Sequence, residues 1–160
     1  MTDDEFLTKF EQHTLTRGQW THAAHVRMAW LYVGRSGTYR HARGKARTGI
    51  QKLNQAFLAR QNAPCGATRP PEPAAEPAAE PKAGGFHETI TTAFVRLVAA
   101  RARPGETFAA FRKRNPDLFD RTLAALLAHY SRGLLFSEEA KTKFAQPDLA
   151  PLPKPRFAHA

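Results

Sequence analysis

Trp20-Thr21-His22-Ala23-Ala24-His25-Val26-Arg27-Met28-Ala29-Trp30-Leu31-Tyr32-Val33 is the stretch whose reading decides the fold class. At 100° per residue, His22, Val26, Ala29 and Val33 fall in one narrow stripe. Trp30 lies on one flank of it, and His25 about 60° to the other side. The stretch therefore reads as a core helix over 20–34, with Arg27 pointing away from the core and Gly34 and Gly37 ending the helix. Both imidazoles project from its core-facing half.

Helical periodicity extends in both directions from there. Residues 3–12 carry Phe6, Leu7 and Phe10 behind Asp3, Asp4 and Glu5, and the dipole of a helix favours acids at its start. Residues 39–60 have a basic first half, Arg40, His41, Arg43, Lys45 and Arg47, and then an apolar stripe of Ile50, Leu53 and Phe57. Gly44 and Gly49 weaken this helix and predict fraying of its early part. Residues 86–102 form a second histidine helix, with His87, Thr91, Phe94 and Val98 in one stripe, Arg96 opposite and Glu88 at the edge. A short helix over 106–114 presents Phe108 and Phe111. Asn115-Pro116 then opens a helix over 116–131, with Leu118, Phe119, Thr122, Leu123, Leu126 and Tyr130 inward and Gly133 as its stop. Ser137 caps a last short helix that has Glu138 and Glu139 in its first turn. Pro147–Pro153 is an extended tail anchored by Leu149 and Leu152.

Residues 62–84 contain Pro70–Pro81, which repeats Glu-Pro-Ala-Ala, and proline recurring every four residues there forbids a regular helix. The segment reads as a disordered or polyproline-like linker with Cys65 exposed at its start. Neither flank is large enough to fold alone. With no alternating strand pattern, the expected fold class is mainly α. It is a single compact domain of about six helices over 1–153, interrupted by the linker and followed by a flexible tail over 154–160.

Composition bounds the function classes. There is no run of 18 apolar residues, so no membrane partner is expected, and the acidic start Asp3-Asp4-Glu5 is not a secretory signal. The single Cys65 allows no intramolecular disulfide and fits a reducing compartment, so a cytoplasmic protein is expected. The formal charge of +10 favours anionic partners. The arginine excess also fits the codon bias of a GC-rich bacterial genome, as do the alanine and proline content. A small anionic molecule is the expected partner, and two tryptophans leave room for a homodimer.

Two histidines at i and i+3 on one helix can point to a shared ion, and a third from a facing helix completes an open three-histidine site. His22, His25 and His87 fit that design as metal ligands. Neutral imidazole does not select one divalent metal, and Zn and Fe are both candidates. Glu88 is then the candidate catalytic base, while Trp20, Thr91, His129 and Tyr130 are candidates for lining the substrate pocket. Each also has a plainer reading. The histidines suit buried rings bonded to a carbonyl, Thr or Glu; His129 suits a helix-end histidine; the tryptophans suit core. Three function classes follow. They are metal-assisted chemistry on a small anion, metal-free small-molecule binding, and nucleic-acid binding through the basic 40–47 face.

Trp20-Thr21-His22-x-x-His25, Gly85-Phe86-His87-Glu88-Thr89-Ile90-Thr91, Ser137-Glu138-Glu139-Ala140 and Pro147-Asp148-Leu149-Ala150-Pro151-Leu152-Pro153 together resemble a family of small uncharacterised bacterial proteins. Family members look like Trp-Thr-His-x-x-His-Leu near the start and Gly-Tyr-His-Glu-Thr-Ile-Thr in the middle. Val26 and Phe86 stand here where leucine and tyrosine are expected. The resemblance covers nearly the whole chain apart from the linker. It implies no reaction, but it makes the two histidine motifs parts of one site.

Overall fold

The first helix, α1 (Asp3–Glu11), is started by a capping box. Thr2 Oγ1 accepts from Glu5 N–H at 3.1 Å, and Glu5 Oε2 accepts from Thr2 N–H at 2.7 Å. Threonine caps of the same kind start α2 (His22–Ser36) and α3 (Tyr39–Gln61), through Thr21 and Thr38. Histidine takes that role for α4 (Glu88–Arg101), where His87 is the cap residue. The chain goes on through α5 (Phe108–Arg114), a 3₁₀ turn (Pro116–Phe119), α6 (Ala124–Leu127), α7 (Arg132–Leu135) and α8 (Glu138–Thr142). This computed structural model describes residues 1–62 and 86–156, and among them the protein is mainly α with no strand. Most of the 62–84 linker, Cys65 and residues 157–160 of the tail lie outside the described residues.

Helices α2, α3 and α4 pack on one another and hold the core, with α1 laid across α2 and α3, and α8 against α4. α2 is buried well beyond one stripe: Ala24, Met28, Leu31 and Tyr32 join Val26, Ala29 and Val33 inside. Arg27 does not point away into solvent. It bonds Asp3 at 2.6 Å and lies over the Phe6 ring at 4.9 Å, which ties α1 to α2. α3 does not fray at its glycines; it runs unbroken from Tyr39 and buries Ala42 and Ala46 before Ile50, Leu53 and Phe57. α4 is buried beyond the expected face. Val98 is inside as expected and Leu97 with it, but Glu88, Thr89, Thr92, Ala93, Val95 and Ala99 are buried too, while Thr91 and Phe94 are half-buried. A helix enclosed by α2, α3 and α8 has no outward side wide enough to take all its polar residues.

The expected helix over 116–131 is broken. Asp120 Oδ1 accepts from both Thr122 N–H (2.8 Å) and Thr122 Oγ1 (2.7 Å), and this local turn competes with helix continuation. Leu123 then takes φ 60°, a left-handed conformation that leucine rarely adopts. Asn115 does not cap; its Nδ2 donates to the Phe111 carbonyl at 2.9 Å. Gly133 lies inside α7, which Ser131 caps, and so does not act as a stop. In the tail Leu152 is buried as expected, but Leu149 is 60% exposed.

Gly49 lets α1 approach α3: a Cβ there would fall inside the Phe10 ring, which is itself fully buried. Gly49→Ala should therefore destabilise the fold by about 1–2 kcal/mol, overpacking outweighing the better helix propensity of alanine. Urea unfolding checks this, and a variant as stable as the wild type would refute the close-packing account.

Candidate functional site

The structure does not gather the expected trio. Among the described residues no three His, Cys, Asp or Glu side chains come together as a group that could hold a metal. Each imidazole instead serves a backbone carbonyl. His22 Nε2–H donates to the Leu118 carbonyl at 2.9 Å, and its ring meets Phe94 edge-on. His25 Nδ1–H donates back to the Thr21 carbonyl at 2.7 Å, and its ring lies against Trp20 with centroids 3.9 Å apart. His87 has both nitrogens engaged: Nδ1 accepts from Ile90 N–H at 3.1 Å, and Nε2–H donates to the Leu135 carbonyl at 3.0 Å. A ring that spends both nitrogens this way has no lone pair left for a metal. Desolvation lowers the His25 pKa to about 4, and burial also lowers that of His87, so both rings stay neutral.

The other expected site residues are spread over the fold, and some of them also serve backbone carbonyls. Glu88 is buried, its Oε1 accepting from Thr92 Oγ1 at 3.3 Å and its Oε2 lying 3.1 Å from Arg47 Nε. That arginine N–H is not aimed at Oε2, which has no hydrogen-bond donor among the described residues. Tyr130 is fully buried and donates to the Ala145 carbonyl at 2.8 Å. His129 bonds the Ala150 carbonyl at 3.1 Å, holding the tail. Trp20 is sandwiched between Phe10 and His25. Thr91 is half-buried on α4.

An open groove of about 680 Å³ lies elsewhere, along one flank of α3 where α1 and α2 face it. One wall is α3 itself, through Arg40, His41, Gly44, Lys45, Thr48 and Lys52. These recur every three or four residues, away from the buried stripe of Ile50, Leu53 and Phe57. The other wall holds Glu11, His13 and Tyr32. The Tyr32 hydroxyl donates to Glu11 Oε1 at 3.0 Å, and Lys45 Nζ lies 5.6 Å over the Tyr32 ring. Burial, and then the Glu11 charge, raise the Tyr32 pKa, so its phenol remains a donor.

Three cations against one carboxylate leave the groove positive even with its histidines neutral. α3 has no acid in its first turn and places Arg40 and His41 there, at the positive end of its own dipole. Gly44 stands inside this helix, where glycine costs about 1 kcal/mol relative to alanine. Among the described residues a Cβ there meets no atom within 4 Å, so their packing does not require it. The basic run over 40–47 thus divides. Arg40, His41 and Lys45 face the groove, whereas Arg43 lies beside Tyr39 and Arg47 beside Glu88.

Sequence reading found the basic run but missed Glu11, His13, Tyr32 and Lys52. The spacing of His41, Lys45, Thr48 and Lys52 on one flank was the available signal. The wall supplied by α1 and α2 had none. No protein-family model, curated protein or solved structure matches the chain. None of the helices among the described residues is long and apolar enough to cross a membrane.

The lowered histidine pKa values set a pH dependence. A ring that is neutral when folded and free to protonate when unfolded makes the unfolded state bind more protons. Stability is therefore full above the unfolded pKa of 6.5 and falls as pH drops from there toward about 4. In His25→Gln, urea midpoints measured between pH 7.5 and 4.5 should show a slope shallower by about one proton. An unchanged slope would place the His25 pKa near its ordinary value.

Proposed function

We propose that this protein binds a small, multiply charged anion in the α3 groove without using a metal. The observation that carries the reading is the groove itself. Arg40, Lys45 and Lys52 project from one flank of one helix into a space of about 680 Å³ that Glu11 and Tyr32 bound on the far side. Hydrogen bonds from cations to an anion are stronger than neutral ones, and Thr48 adds a hydroxyl on the same flank. The Tyr32 O–H is spent on Glu11 Oε1, so the pair offers acceptors, the second Glu11 oxygen and the phenol oxygen, to a neutral part of the ligand. The use of the imidazoles supports a metal-free site over the His22, His25 and His87 metal site: carbonyls hold one nitrogen of His22 and of His25, and His87 has none free.

The division of the basic run favours a small ligand over a nucleic acid. A nucleic-acid backbone needs cations along one continuous face, but Arg43 and Arg47 turn toward Tyr39 and Glu88. The Glu11 carboxylate at the groove wall would also oppose a passing chain of phosphates.

Calorimetric titration with phosphorylated and polycarboxylate metabolites at low salt should detect a ligand whose affinity falls as salt rises. Lys45→Ala and Lys52→Ala should each weaken it by about tenfold, the loss of one charge-assisted bond. The ligand should also raise the melting temperature. Full affinity in the double lysine variant would place the ligand elsewhere, and a chain that binds none of these anions at low salt would overturn the reading.

A further inference from the structure

We propose that the backbone left bare at Gly44 is the seat of a phosphoryl group, so that the groove's ligand is a phosphate ester or pyrophosphate rather than a carboxylate. This rests on the anion-binding reading of the groove. Gly44 lines the groove within α3, with His41 one turn before it and Thr48 one turn after, and with Arg40 and Lys45 on the same wall.

Two observations make this glycine unusual. The fold makes no demand for it, since its surroundings are open and its backbone is not left-handed. The helix is weakened by it, because a glycine in an interior turn loses more conformational freedom than alanine. Gly49, one turn and a half further on, has a packing reason in Phe10. Gly34 has open space too, but it lies in the last turn of α2, where glycine is better tolerated. Gly133 is open as well, but it lies in the four-residue α7, away from the groove. Gly49 lines the groove too, yet it has its packing reason, so Gly44 is the groove glycine without one among the described residues.

A missing Cβ lets an anion lie against the helix surface, with partners from the turns on either side. Arg40, His41, Lys45 and Thr48, which line the groove with Gly44, are two cations, an imidazole and a hydroxyl. Arg40 and His41 belong to the turn before Gly44, Lys45 follows it directly, and Thr48 belongs to the turn after. A tetrahedral phosphoryl group has three oxygens to meet such a set, whereas a planar carboxylate has two. Arg40 suits bidentate contact with phosphate oxygens, and Lys45 acts as a point charge.

The test uses pyrophosphate and citrate, two multiply charged anions of different geometry, at matched ionic strength. Wild-type protein should bind pyrophosphate more tightly than citrate, with the Gly44 amide among the resonances that shift. Gly44→Ala should melt higher than wild type, and its pyrophosphate affinity should fall at least tenfold with citrate little changed. A Gly44→Ala variant that binds pyrophosphate as wild type does would overturn the role of Gly44 while leaving the groove reading standing. A lower melting temperature would assign the glycine to the fold and overturn it as well. Failure of wild type to bind either anion, or full binding in Lys45→Ala, would overturn the groove reading and this inference with it.

Discussion

After Leu118 the backbone makes only short helical turns before it runs out extended, and many of its carbonyls have no partner within their own segment. A buried carbonyl without a donor costs as much as a lost hydrogen bond. Side chains supply those donors. His22 reaches Leu118, His87 reaches Leu135, Thr89 reaches Ala140, Tyr130 reaches Ala145 and Arg96 reaches Pro153. His129 does the same for Ala150. The bonds from His22, His87, Thr89 and Arg96 tie the irregular C-terminal part to α2 and α4, and those from Tyr130 and His129 tie it to itself, beside the burial of Leu126, Leu135 and Leu152 in the core.

That constraint explains why polar residues enter the interior of a small helical protein. Thr89 is fully buried, yet its hydroxyl donates to Ala140 and accepts from Ala145 N–H, so it costs little to bury. His87 goes further, since one ring both caps α4 and fastens α7. The same demand leaves His87 no free nitrogen, while His22 and His25 each keep one. Burial disfavours the charged form of His25 and His87.

α3 belongs to both parts of the molecule. One side closes the core through Leu53 and Phe57 and receives Phe10 at Gly49. Another side carries positive charge at the helix end that disfavours it, with no acid in the first turn, and a glycine that lowers helix stability. Sequences settle into folds in which local preferences agree, and departures concentrate where function demands them. On this helix the departures lie together along the groove, and Gly49 shows how a packing glycine looks by contrast.

Much of the regular framework was legible in the residues. Periodicity located α1 to α4 within a few residues, because an apolar stripe at 3.6-residue spacing needs no knowledge of its partner. Ser137 with Glu138 and Glu139 marked α8 by cap chemistry alone. Residues 116–131 misled, because their apolar spacing is helical while the Asp120–Thr122 turn and the left-handed Leu123 are local choices that periodicity does not register. The histidines misled for a different reason. Their place on core helices was readable, but a carbonyl and a metal are equally good destinations for a buried imidazole until its neighbours are known. By itself the sequence determined the mainly α class, the long helices, the Ser137 cap and the basic run on α3. Tertiary structure alone decided which carbonyl each histidine serves, how much of α4 is covered, and which cations share a groove with Glu11 and Tyr32, because those outcomes depend on groups far apart in the chain that only packing brings together.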